Sequence, residues 1–110
     1  MRKPTRWYSN KQEQRVARTI RGKVVSNSGA TPFSKGDVQS SKLLVECKTV
    51  TVPKQSVSIK KEWLTKNEEE AFAMGKPYSV LAFDFGDGED YYIISKQLFI
   101  RLCTLLEEEM

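Results

Sequence analysis

Asp37, Glu46 and Lys48 are the residues whose types and spacing could do chemistry. Asp37 follows Gly36 on a turn or short strand, and Glu46 and Lys48 stand two apart in the apolar run Leu43-Leu44-Val45-Glu46-Cys47-Lys48. That run reads as a buried strand. Side chains two apart on a strand point to the same face, so Leu44, Glu46 and Lys48 share one face and Leu43, Val45 and Cys47 the other. Charged groups on so apolar a strand cost free energy unless they are paired or bind an ion. Two carboxylates against one ammonium leave the trio net negative, and a divalent cation would settle that imbalance. Oxygen donors from carboxylates and a backbone carbonyl suit Mg²⁺, with Mn²⁺ as a substitute.

The elements that must position this trio follow from periodicity and breakers. Residues 1–8 read as a flexible basic arm ending in Trp7-Tyr8. Asn10 with Glu13 three residues later is a variant of the capping box, which starts a helix running to about Ile20, with Gly22 just past its end. Val16, Ala17 and Ile20 form its apolar stripe, Glu13 lies on that same side, and Lys11, Arg15 and Arg18 line another face. A short strand is expected over 23–26, a loop over 27–32, the two motif strands within 36–49 and a connection containing Pro53 and an exposed Lys54. Ser58 is a possible N-cap for a helix through about Met74, closed by Gly75, with Trp63, Leu64, Ala71 and Phe72 facing inward. Strands over 78–85 and 91–94 flank an acidic hairpin loop expected to point away from any polyanion. The last helix begins at Ser95 or Lys96, and Leu98, Phe99, Leu102, Leu105 and Leu106 give it a core or dimer stripe. The order helix, strand, strand, strand, helix, strand, strand, helix predicts an α/β fold: a single domain over 9–110 with a central mixed β-sheet flanked by helices.

Charge divides the chain in two. Residues 1–62 carry 14 Lys/Arg against 4 Asp/Glu, and residues 63–110 carry 4 against 10, so a front half at +10 joins a back half at −6 to give +4. Such a split suits a protein that presents one face to nucleic acid. Lys60 and Lys61 at a helix N-terminus oppose the helix dipole there but make a good phosphate contact. With no histidine, Ser-His and Cys-His nucleophilic sites and His-ligated zinc are excluded. Cys47 and Cys103 are too few for a zinc ribbon or a disulfide scaffold, and a reducing, cytoplasmic compartment fits. No apolar run reaches the roughly 20 residues of a membrane span.

The run Glu13 … Ser28-Gly29 … Gly36-Asp37 … Glu46-Cys47-Lys48 resembles the PD-(D/E)XK nuclease motif, an acid followed on the next strand by acid-x-lysine. It is similar in particular to archaeal Holliday-junction resolvases and resolvase-like nucleases of bacteriophages, over roughly residues 9 to 75. Gly36 stands where the motif's name has proline. The resemblance implies a restriction-endonuclease-like fold and a Mg²⁺-dependent endonuclease that works as a homodimer on four-way DNA junctions, in the host cytoplasm if phage-encoded. It implies that Asp37, Glu46 and the Cys47 backbone carbonyl hold the metal, with Glu13 completing the site directly or through water. Ser28 would lie near the scissile phosphate, although a turn serine bonding its own backbone fits the loop equally. Lys48 would orient the attacking water or stabilise charge in the transition state. Lys11, Arg15, Arg18, Lys54, Lys60 and Lys61 would bind backbone phosphates without reading sequence. The rivals are a restriction-like, nicking or flap nuclease, and a DNA-binding module of the same fold that does not cleave.

Overall fold

A computed structural model describes residues 3–25 and 37–109 of the chain. It is a single-domain α/β fold of three helices and one five-stranded mixed sheet. Helix α1 (Thr5–Ile20) starts more than a turn earlier than Asn10. Pro4 occupies the N-cap position with φ −59°, and its carbonyl accepts the Trp7 N–H at 3.0 Å. No side chain caps this end, and the Asn10–Glu13 box does not form because both residues lie inside the helix. Residues 5–8, expected in a free arm, are therefore helical. The helix ends at Arg21, in the left-handed region at φ 55°. Gly22 follows because a Cβ there would run into the Gln39 carbonyl.

Strands β1 (Lys23–Val24), β2 (Val38–Gln39) and β3 (Leu43–Lys48) pair antiparallel in sequence order. After β3 the chain crosses through helix α2 (Lys61–Ala73) and returns as β4 (Tyr78–Phe83), parallel to β3. Strand β5 (Tyr91–Ile94) completes the sheet antiparallel to β4, and helix α3 (Lys96–Glu108) follows. The alternation expected of β3 holds. Val45 joins Val16 of α1, Val38, Val80, Ala82 and Leu98 in one core, while Leu44 joins Val25 and Ala71 of α2 in another. Helices α1 and α2 thus cover opposite faces, and Glu46 and Lys48 fall on the α2 side with Leu44.

One helix start and several inward assignments change. Helix α2 begins at Lys61 with Lys60 as N-cap, not at Ser58. Phe72 is 87% exposed, because Ala71 takes the position against the sheet and the next residue is turned about 100° away. Asn67 points inward instead, its amide donating to the Leu44 and Val80 carbonyls at 3.2 and 3.1 Å. On α3 the Ser95 hydroxyl accepts the Leu98 N–H at 3.1 Å as an N-cap, and Leu98 is the one buried residue of that helix. Phe99, Leu102, Leu105 and Leu106 are exposed rather than core. Among the described residues, no helix is long and apolar enough to cross a membrane.

Candidate functional site

The site is built by the β2–β3 pairing. Val38 stands opposite Val45, and Asp37, just before β2, brings its carboxyl into contact with that of Glu46. The Asp37 N–H donates to the Val45 carbonyl at 3.0 Å and its own carbonyl accepts the Val25 N–H at 2.9 Å, which fixes its backbone between β1 and β3. Its Oδ2 accepts the Cys47 N–H at 2.7 Å. A strand residue directs its N–H and C=O to the same neighbour. The Cys47 carbonyl therefore faces the side on which the Asp37 carboxylate sits. Two carboxylates and one carbonyl make an all-oxygen donor set, which fits a hard divalent cation.

Electrostatics point the same way. Burial raises the Asp37 carboxyl above its ordinary range, and the Cys47 N–H and Lys48 only partly counter it. Burial also raises Glu46, the neighbouring Asp37 raises it further, and Lys48 opposes. Glu13, half-buried on α1, is raised by burial and then by Asp37, with Arg6 opposing. Asp37 thus disfavours the charge of both Glu13 and Glu46, which is a condition a bound cation relieves. Glu13 and Asp37 share a cleft of about 420 Å³ with Arg6, Ser9 and Asn10. Among the described residues, three or more His, Cys, Asp or Glu side chains do not converge on one point, so the donor set rests on the facing pair and the backbone carbonyl. Ser28 lies outside the described residues. Burial pushes the Cys47 thiol up, so its backbone and not its sulfur is the group available for chemistry.

Lys48 is held from two sides. Its Nζ lies 3.7 Å from Glu46 Oε2 and 4.4 Å from the centroid of the Trp63 ring on α2. An ammonium over an indole face is attracted by the ring quadrupole. The Lys60 Nζ lies 5.9 Å from the same ring, so the α2 N-terminus brings a second cation beside Lys48. Trp63 was expected only as a core residue. An aromatic in the first turn after two lysines was the signal for this role. Lys61 and Lys54 are exposed, as is Arg18. Lys11 is exposed on the outer side of α1, its Nζ 5.6 Å from the Trp7 ring.

Arg15 is not a free phosphate contact. Its Nε and Nη2 donate to the two oxygens of Asp90 at 2.9 Å each, and Nη2 also reaches Asp84 Oδ2 at 2.8 Å. Asp84 further accepts from the Thr49 hydroxyl at 2.9 and 3.0 Å and from the Gly86 N–H at 3.0 Å. Nε and Nη2 are thus committed to two carboxylates, so Arg15 first of all ties α1 to Asp84 and Asp90, and its Nη1 is the group left for any other partner. Asp90 is likewise turned inward, while Asp87 and Glu89 stay at the exposed hairpin tip. Gln12, fully buried, donates to the Lys48 carbonyl at 2.9 Å and to Asp90 at 3.4 Å, linking this cluster to the end of β3. An acid flanked by Phe83 and Phe85 was the sequence signal for Asp84, of the same kind that singled out Glu46. No family model, curated protein or solved structure gives a significant match to the chain.

Proposed function

We propose that the chain is a metal-dependent endodeoxyribonuclease of the PD-(D/E)XK kind with a restriction-endonuclease-like fold, acting on four-way DNA junctions as a homodimer. The observation that carries this reading is the pair of facing carboxylates, Asp37 and Glu46, with Lys48 on the Glu46 face. Asp37, Glu46 and the Cys47 carbonyl would hold Mg²⁺, with Glu13 able to contribute from across the cleft. When bound, the ion supplies a Lewis acid for the phosphate and an acidified water. Lys48, steered by Glu46 and Trp63, offers an N–H donor to charge growing on the phosphate oxygens. The step is hydrolysis: water oxygen bonds to phosphorus, one P–O ester bond breaks, and the leaving oxygen takes a proton. Lys60, which shares the Trp63 ring with Lys48, and its neighbour Lys61 bind the flanking backbone, and Lys54, Lys11 and Arg18 extend that contact.

The test is cleavage of a labelled four-way junction beside matched linear duplex, with Mg²⁺ and with chelator. Symmetric nicks in the junction alone, lost with chelator, are expected. Glu46→Gln should lower cleavage by about 10³-fold, on the scale of losing one transition-state contact, while junction binding stays within about twofold. Cleavage that survives Glu46→Gln would refute the site. Equal cutting of both substrates would leave a general nuclease. Binding without cutting of either would leave a non-cleaving DNA-binding module.

A further inference from the structure

Helix α3 is the least finished part of the molecule. It has 13 residues, and only Leu98 in its first turn is buried. Phe99, Ile100, Leu102, Leu105 and Leu106 are each exposed by two-fifths or more. An isolated helix this short is marginal in water, so something beyond its own backbone must favour it. The exposed residues Phe99, Leu102 and Leu106 recur at the three-then-four spacing of a two-helix seam, flanked by Leu105. We propose that this face docks on the same face of a second copy of the chain, with the two α3 helices antiparallel about Leu102.

Charge selects this occupant and this direction. The helix begins with Lys96 and ends with Glu107-Glu108-Glu109. Side by side in parallel, two such helices would stack their acidic ends on each other. Reversed, Lys96 of each copy meets Glu107 and Glu108 of the other, and the helix dipoles also oppose. The glutamates repel DNA, and an apolar face with acidic flanks does not suit an anionic membrane, where basic flanks are the rule. The seam is self-complementary: Leu102 meets its own counterpart on the two-fold axis, and Phe99 meets Leu105, all of them exposed in the single chain. That is the isologous contact of a two-fold dimer. From Phe99 to Leu106 the seam spans roughly 10 Å of helix, at the low end of interface size, so the pair is expected to separate on dilution in the micromolar range. The pairing deepens the resolvase reading by naming the surface that would join its two sites, but it rests on none of that chemistry.

Sedimentation equilibrium of the full chain decides it without any cleavage assay. At about 100 µM the expected mass is twice 12.6 kDa, falling toward 12.6 kDa on dilution. The double variant L102E/L106E should remain at the single-chain mass throughout. It should keep the unfolding midpoint that dilute wild type shows, because both leucines are exposed in the single chain. In a C103S background, K96C chains mixed with E108C chains should cross-link to each other with a short bis-maleimide. A wild-type chain that stays monomeric at 100 µM, or a double variant that still dimerises, overturns the proposal. Cross-links of K96C only to K96C overturn the antiparallel arrangement.

Discussion

Two pairs of carboxylates sit within this small sheet, and they are treated in opposite ways. Asp84 and Asp90 converge on the Arg15 guanidinium, and Thr49, Gly86 and Gln12 supply further donors. Asp37, just before β2, and Glu46 on β3 bring their carboxyls into contact, with one backbone N–H and a lysine 3.7 Å away as partial compensation. The first pair has a cation built in. The second has only a lysine at 3.7 Å from one acid, and burial holds both acids above their ordinary range, with Asp37 raising Glu46 further. A buried acid cluster is therefore not in itself a sign of a site. What marks a site is acids that the protein's own donors hold only loosely.

Removing the built-in cation should have the largest effect. Arg15→Ala leaves Asp84 and Asp90 with no counter-ion and is expected to cost about 3 kcal/mol, the lower end for a broken buried pair because Arg15 is itself partly exposed. Urea denaturation measures this. A cost under about 1 kcal/mol would remove the structural half of the comparison. Chains that remain folded should keep the wild-type salt slope for DNA binding, since Arg15 is first of all tied to Asp84 and Asp90.

The lysines beside the second pair should behave in the reverse manner. Reversing Lys60 and Lys61 together to Glu should leave stability near wild type, weaken DNA binding by roughly tenfold or more at low salt, and reduce the magnitude of the salt slope by about 2. Binding titrations across a salt series report both quantities. An unchanged slope would show that these lysines do not meet phosphate.

The smallest effect tests the shortage of charge itself. Asp37, Glu46 and Glu13 hold protons more tightly in the folded chain than in the unfolded one. Their contribution to stability is complete below the ordinary carboxylate range, roughly pH 4, and is lost as pH rises through their raised values. The metal-free protein should thus lose this contribution on going to neutral pH. Glu46→Gln should raise its melting temperature at pH 7 by roughly 2–5 °C, with the gain shrinking toward pH 4. Added Mg²⁺ should raise the wild-type melting temperature and leave the variant nearly unmoved. A variant less stable than wild type at pH 7 without metal would mean that Glu46 is already satisfied by Lys48.

How much of this was legible in the sequence depends on range. The alternation of β3 is local, and it put Leu44, Glu46 and Lys48 on one face correctly. The order of elements along the chain and the Gly75 helix stop are also local signals, and they held. Arg15 could not be placed this way, because its partners lie 69 and 75 residues further along the chain and nothing near Arg15 announces them. Phe72 was misassigned because hydrophobicity alone cannot show that Asn67 and Ala71, of smaller volume, fill the narrow space between α2 and the sheet. The start of α1 went to Pro4 and not to Asn10, and both residues of the expected capping box lie inside the helix. Trp63 was legible as an aromatic near lysines, but its contact with Lys48 depends on where the β3–α2 crossover lands.

The most direct measurement on the central claim is paramagnetic broadening of backbone amide NMR signals by trace Mn²⁺ in the wild-type chain. Signals of Asp37, Glu46, Cys47 and Lys48 should disappear first, and those of Asp84 and Asp90 should persist to much higher Mn²⁺. Glu46→Gln should abolish the early losses. Broadening that begins at Asp84 and Asp90, or only along Glu107-Glu108-Glu109, would contradict the claim that the facing carboxylates are the cation site.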